Sequence, residues 1–446
     1  MEHRGLRAEF LRYVSMNVMG MLGLSCYILA DTWFVARGLG ADGLAALNLA
    51  IPVYSFIYGS GLMVGMGGAT KYALLLGAGE QEKARTVFTK AVLFACSLAA
   101  VYMLIGGFGA GRLSALLGAE GAVYPMTTIY LKVILLFAPA FLLNSTILCF
   151  VRNDGGPRLA MAAMVGGSLA NIVLDYVFIF PCGMGIFGAV LATGFAPIIS
   201  MAILSRWFLR RRNSFTLVKT GLEPGAAGEI AALGVSSLIS EVSSGVVMIV
   251  FNLLILDLEG SVGVAAYGVV ANLSLVLMAM FTGVGQGIQP LVSRYCGGGR
   301  PEQGRQVYRW ALLAAGGFGL VMYGLIALFA GPIAGAFNSE GNLQLQAIAS
   351  SGLRLYFLAL PFAAYNVVSA LYRSAMDQPR PAFLISMLRG FVLILPLAFL
   401  LAWRWGMTGV WLTFPAAECG TMLIALLTGR QKKGTGREKV GARRTA

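Results

Sequence analysis

Residues 77–85 read GAGEQEKAR, and residues 297–305, 220 positions later, read GGGRPEQGR. The echo extends in both directions. Gly65 and Gly67 match Gly285 and Gly287 at the same offset. Leu131-Lys132 and Pro139 match Leu353-Arg354 and Pro361 at an offset of 222, and Gly185 and Gly188 match Gly406 and Gly409 at 221. The chain is therefore written twice. The halves join through a basic stretch that holds Arg206, Arg210–Arg212 and Lys219, with Asn213, Gly221, Pro224 and Gly225 as breakers.

Each half is built for lipid. Of the 446 residues, 58% are hydrophobic and 12% charged, against about 25% charged in soluble domains. Glycine stands at 58 residues, about twice the usual share, and small residues let membrane helices approach closely. Twelve apolar segments are predicted, each long enough to cross about 30 Å of hydrocarbon. They are 14–36, 44–76, 87–110, 123–150, 159–180, 185–207, 228–256, 262–293, 307–333, 345–371, 381–402 and 406–428. The second and eighth are over-long, so they are expected to tilt, bend or extend beyond the membrane. Six segments repeat as six, so the two halves run in the same orientation. The expected fold is an all-α integral membrane protein with twelve transmembrane helices in two pseudo-symmetric six-helix lobes. The expected division is an N-lobe over 1–205, a cytoplasmic basic linker over 206–227, a C-lobe over 228–430 and a basic cytoplasmic tail over 431–446.

Charge placement sets the orientation. With the N-terminus on the cytoplasmic side, 27 of the 33 Lys and Arg residues fall on that side, as the positive-inside rule requires. Both termini are then cytoplasmic, in a multi-pass protein of the plasma (inner) membrane. The net charge of +14 reads as a topology signal and not as a nucleic-acid surface. The basic tail either touches anionic membrane lipid or is simply solvated.

The polar interruptions of the apolar runs point to function. Residues 166–180, GGSLANIVLDYVFIF, carry Asn171 and Asp175 at i, i+4, one turn apart on one helix face. A carboxylate at that depth costs about 2.5–3.5 kcal/mol on insertion scales. That face is expected to turn toward protein or water. The alternative is a hydrated carboxylate near the helix end. The repeat supplies a control: at offset 222, Asn171 and Asp175 become Leu393 and Leu397, and Asp31 falls opposite Phe251 or Asn252. The acidic set belongs to the first half alone, which favours one coupling site over a structural hydrogen-bond network.

Other chemistries lack their residues. The single histidine, His3, and six scattered cysteines give no metal spacing, disulfide framework or hydrolase constellation. No G-x-x-x-x-G-K-[ST] loop is present for ATP. No enzyme activity and no cofactor is expected. Prolines 52, 139, 197, 361, 396 and 415 lie in apolar runs and are candidate kinks.

The order of these features resembles the multidrug and toxic compound extrusion (MATE) family over nearly the whole chain. The first segment ends Ala30-Asp31-Thr32-Trp33-Phe34-Val35 and is followed by Gly43-Leu44-Ala45-Ala46. This is similar to the family's first-helix aspartate and its G-x-x-x-L-A-A opening of the second helix. The resemblance implies efflux of cationic or amphipathic compounds in exchange for Na⁺ or H⁺. It also implies an N-lobe cation site at Asp31, Asn171, Asp175 and Thr193, with Asp31, Asn171 and Asp175 as Na⁺ ligands if the protein is Na⁺-coupled. Glu241 resembles the helix-seven glutamate of another branch. That branch's helix-ten aspartate is Asn366 here, which speaks against a C-lobe site of that type.

Two carboxylates close together in low dielectric cannot both stay charged at low cost. Asp31 and Asp175 are thus expected to share a proton or recruit Na⁺ through oxygen ligands. A second hypothesis concerns substrate. Glu241, Glu418, Tyr27, Tyr54, Tyr58 and Tyr365 suit a flat organic cation; the alternatives are ordinary packing for the aromatics and a structural pair with Arg389 for Glu418. Arg389, Lys132 and Arg354 are expected to snorkel or pair near segment ends. The function expected is a secondary active antiporter working by alternating access, as a functional monomer. The alternative is a flippase of lipid-linked or polysaccharide precursors with the same architecture. It is disfavoured because the internal charges read as mainly acidic.

Overall fold

The structure is a computed structural model. It describes the backbone of residues 2–221, 223–338 and 341–441, and the side chains of 5–221, 223–338 and 341–428. The side chains of Arg4 and of the basic tail 431–446 lie outside the described residues. The described chain is helical, with no strand. Its helices are α1 (Glu2–Gly77), α2 (Gln81–Leu116), α3 (Val123–Leu136), α4 (Ala138–Asn153), α5 (Pro157–Ile179), α6 (Gly185–Leu209) and α7 (Pro224–Gly297). They continue with α8 (Pro301–Leu328), α9 (Ala330–Ala336), α10 (Leu343–Tyr356), α11 (Leu360–Ala375), α12 (Pro379–Met387) and α13 (Ile394–Gly441).

Nine apolar helical units among the described residues are long enough to cross a membrane, counting the bent α3–α4 pair as one. Three of them reverse once at a glycine: α1 at Gly40, α7 at Gly260, and the run through α13 at Gly406. That gives the twelve crossings. Gly40 and Gly260, 220 residues apart, have nearly the same backbone, φ 65 and ψ −155 against φ 64 and ψ −157. Only glycine adopts that region without strain. The repeat is thus a repeat of backbone turns as well as of letters.

Proline repeats too. Pro139 opens α4 after a 46° bend from α3, and Pro361 opens α11 after a short 3-10 turn over Phe357–Ala359. Each stands at the break in the fourth span of its half, in a first helical turn where its missing N–H costs nothing, whereas Pro52, Pro197, Pro290 and Pro415 lie inside helices.

The halves meet mainly through α1 and α7. Glycine allows their backbones to touch. A Cβ on Gly67 would strike the carbonyl of Ile230, and one on Gly234 the carbonyl of Met63. Gly287 and Gly283 lie against the backbone of Tyr13, Val14 and Val18. Gly77 meets Arg294, and Gly297 meets Leu74. These contacts gather at the end that carries the basic turns 77–85 and 297–305. The ends of the over-long second and eighth segments meet here, in the last two of these contacts.

The connection between the halves is not loose. Phe215 is fully buried among Tyr72, Phe88, Phe150 and Phe208. Asp154, at the end of α4, accepts hydrogen bonds from the Tyr72 hydroxyl, the Trp207 indole and the Ser214 amide. Lys90–Glu223 and Lys71–Glu229 ion pairs follow. The linker is strapped to the first half.

Candidate functional site

The first half positions two carboxylates by close helix approach. Gly20 and Gly23 of α1 lie against Met164 and Val165 of α5, and Gly38 lies against Ile179 and Phe180. Between those contacts Asp31 of α1 faces Asp175 of α5, within hydrogen-bonding reach. The other side of α5 is open: Leu169, Val173 and Tyr176 are more than half exposed, while Asn171 and Asp175 are 0% exposed. The i, i+4 face thus turns inward, away from lipid. Gly167 sits against Ala196 and Ser200 of α6, and this approach delivers Thr193 to the same spot.

The polar set is tight. With its amide turned to donate, Asn171 gives a hydrogen bond to Asp175 Oδ2 at 3.0 Å and accepts one from the Thr193 amide at 3.3 Å. The Thr193 hydroxyl donates back to Ala189 O at 3.1 Å. Asp31 Oδ1 and Asp175 Oδ1 are buried without a protein hydrogen-bond partner. Two buried carboxylates in contact need a positive charge between them, either a proton or a small cation. The donors at hand are carboxylate, amide and hydroxyl oxygens, the ligands of a hard ion.

Aromatic hydroxyls continue from this pair. Tyr27 and Tyr54 share a 2.8 Å hydrogen bond, and Tyr54 stacks on Tyr58 with ring centres 5.9 Å apart. Tyr54 lies within electrostatic reach of both Asp31 and Glu241. Three of the four tyrosines singled out in the sequence are therefore together. Tyr365 is elsewhere, in the second half beside Tyr308, against Ala370, Ile385 and Ala425.

In the second half Glu241 and Arg389 line one cleft, with Ser236, Ser240, Ser386 and Gln286 among its walls. Glu241 has no ion-pair partner among the described residues. Glu418 is 1% exposed and pairs with Arg389, whose Nη2 lies 2.6 Å from its Oε1 and whose Nε lies 3.1 Å from the same atom. Asn366 donates to Glu418 Oε2 at 2.7 Å and to its carbonyl at 2.8 Å. Arg389 sits in a π-helical turn, Leu388–Val392, a distortion frequent at functional sites.

One interior charge was not visible as such in the sequence. Arg152, read there as one of the cytoplasmic-side charges that set the topology, is 1% exposed. Its Nη1 donates to Asn17 Oδ1 at 2.7 Å within its own half and to Gln286 Oε1 at 3.0 Å in the other half. Asn153, Gln289 and Thr70 add a second bridge alongside. The signal available was an Arg-Asn pair at the end of an apolar run, and nothing local told it from a loop charge. With Arg389 it adds two cations to an interior that also holds Asp31, Asp175, Glu241 and Glu418, which among the described residues remains mainly acidic.

Two lobes of six crossings, with buried ionisable groups and a cleft, have the architecture of a polytopic membrane transporter. The sequence profile of the MatE family matches residues 18–177 and 236–400, and the chain belongs to the multidrug and toxic compound extrusion family. It is 24% identical over 412 residues to the multidrug export protein MepA of Staphylococcus saprophyticus, covering 92% of this chain and 90% of that one. It is 26% identical over 414 residues to an FAD transporter of Shewanella oneidensis, covering 90% and 89%. The fold matches an outward-facing structure of a multidrug resistance MATE transporter with a TM-score of 0.89, 23% identity and 96% of each chain covered.

Proposed function

We propose that this protein is an antiporter that exports cationic or amphipathic small molecules in exchange for Na⁺ or H⁺, by alternating access. The observation that carries the proposal is the Asp31–Asp175 contact, with one orphaned oxygen on each carboxylate. A cation or proton taken up there neutralises the pair and tightens α1 against α5. Release returns the repulsion. A ligand moves a conformational equilibrium only through such a difference in affinity between states. The Tyr27–Tyr54 hydroxyl pair is suited to report that change toward Glu241, where an organic cation finds an unpaired carboxylate. Opening at the basic end parts the glycine contacts of α1 with α7 and breaks the Arg152–Gln286 bridge. In this proposal both termini and the linker face the cytoplasm, in the plasma membrane, and one chain holds a complete pathway.

The test is uptake of a cationic dye into proteoliposomes under separately imposed Na⁺ and H⁺ gradients. Accumulation driven by one gradient, lost in Asp175→Asn, supports antiport and names the ion. Accumulation with no gradient dependence makes the protein a passive pathway and sinks the proposal. Transport of lipid-linked precursors is the reading that would replace it, and Arg152 and Arg389 are the observation in its favour. Against it, Arg389 is already neutralised by Glu418 and Arg152 is sealed between the lobes.

A further inference from the structure

Both lobes bury a carboxylate beside an asparagine, but the surroundings differ in one component. In the N-lobe Asn171 donates to Asp175, and the next charged group is another acid, Asp31. In the C-lobe Asn366 donates to Glu418, and the next charged group is a cation, Arg389. Both Glu418 oxygens are engaged by protein donors, Oε1 by Arg389 and Oε2 by Asn366. Neither Asp31 Oδ1 nor Asp175 Oδ1 is.

The delivery of Arg389 is local and specific. The π turn Leu388–Val392 adds a residue to the helical turn and swings Arg389 toward Glu418 of the last span. Gly390 makes room for it, since a Cβ there would press on the Ser243 side chain. At offset 222 the corresponding residues, 166–170, are ordinary helix and contain no basic residue. The cation is thus an addition to one half of a duplicated plan.

We propose that the Arg389 guanidinium is a covalently tethered counter-ion, standing in the C-lobe where an exchangeable cation would otherwise be needed. The C-lobe is then permanently loaded, and ion exchange is confined to the N-lobe pair. Arg389 holds Glu418 with its Nε and Nη2 edge and lines the cleft beside Glu241. It therefore presents a neutralised pair to the cleft, which leaves Glu241 as the one net charge among the cleft's described lining residues. Arg389 is a positioning residue. Its meaning for coupling rests on the export function proposed above, but its test reads stability and not transport, so the two can fail separately.

The test is thermal unfolding of purified full-length protein in detergent, titrated with NaCl or with ethylguanidinium chloride against choline chloride at equal ionic strength. The background is Asp175→Asn, which removes the N-lobe response, and every variant also carries Glu241→Gln, so that the cleft holds no unpaired carboxylate. The background alone should be flat to both salts. Asp175→Asn with Arg389→Ala should show a saturable rise in unfolding temperature with ethylguanidinium, Na⁺ or both. Adding Glu418→Gln should abolish that rise, and Asp175→Asn with Arg389→Lys should stay flat. A folded Asp175→Asn, Arg389→Ala protein that is as flat as its parent overturns the proposal. If that variant does not fold, the variant with Glu418→Gln added decides. Its recovery shows that the guanidinium serves to neutralise Glu418, and its failure shows another role for Arg389 and overturns the proposal.

Discussion

The N-lobe and C-lobe share a backbone plan down to the φ and ψ of Gly40 and Gly260, and they differ in how a buried acid is neutralised. Asp175 faces Asp31, a second acid. Glu418 faces Arg389 at 2.6 Å. The first arrangement needs an imported positive charge, and in the function proposed above it therefore responds to ion concentration. The second is complete in itself, so it fixes geometry and responds to nothing. In that proposal the differences at a few buried positions make one half responsive and the other static.

The comparison predicts unequal effects for similar substitutions. The largest is Glu418→Gln, which leaves Arg389 buried without its partner. Breaking a buried pair from one side costs about 3–5 kcal/mol, read as a lower unfolding temperature in detergent, with partial recovery in the Arg389→Met, Glu418→Gln double variant. Asn366→Leu comes next, since it removes a hydrogen bond to a charged group, worth about 1.5–3 kcal/mol in the same assay. Asp175→Asn should cost no stability in the absence of the driving ion, because it removes a like-charge contact, yet it should cut gradient-driven dye uptake about tenfold or more, about 1.4 kcal/mol of coupling. Equal stability losses from Asp175→Asn and Glu418→Gln would break the comparison outright. The smallest effect belongs to Tyr27→Phe, which deletes one hydroxyl–hydroxyl bond worth about 1 kcal/mol. It should shift the half-maximal ion concentration for transport more than it shifts unfolding.

Much of this was legible in the sequence for reasons that can be named. The offset of 220 to 222 exposed the duplication, because turns need glycine and broken helices need proline at fixed places. The i, i+4 spacing of Asn171 and Asp175 placed them on one face, and the structure turns that face inward. Tyr27, Tyr54 and Tyr58 were brought together, while Tyr365, on another span, was not. For Glu418 the sequence left open substrate contact or a pair with Arg389, and the structure places it in that pair. Choosing between them depended on the π turn at Leu388–Val392, which has no sequence signature of its own. Arg152 counts in the sequence only as one of the 27 cytoplasmic-side basic residues, because a basic residue at the end of an apolar run looks the same whether it meets water or a neighbouring helix.

By itself the sequence determined that the chain spans a membrane, that it does so twelve times in two equivalent halves, and that only the first half carries Asp31 and Asp175. These follow from composition, periodicity and offset, which are properties of the chain taken locally. Only the tertiary structure decided which buried charge meets which. That depends on helix rotation and on the close approaches allowed by Gly38, Gly67 and Gly390, and a contact between residues 29 apart, as Arg389 and Glu418 are, is set by two spans meeting in space and not by the letters between them.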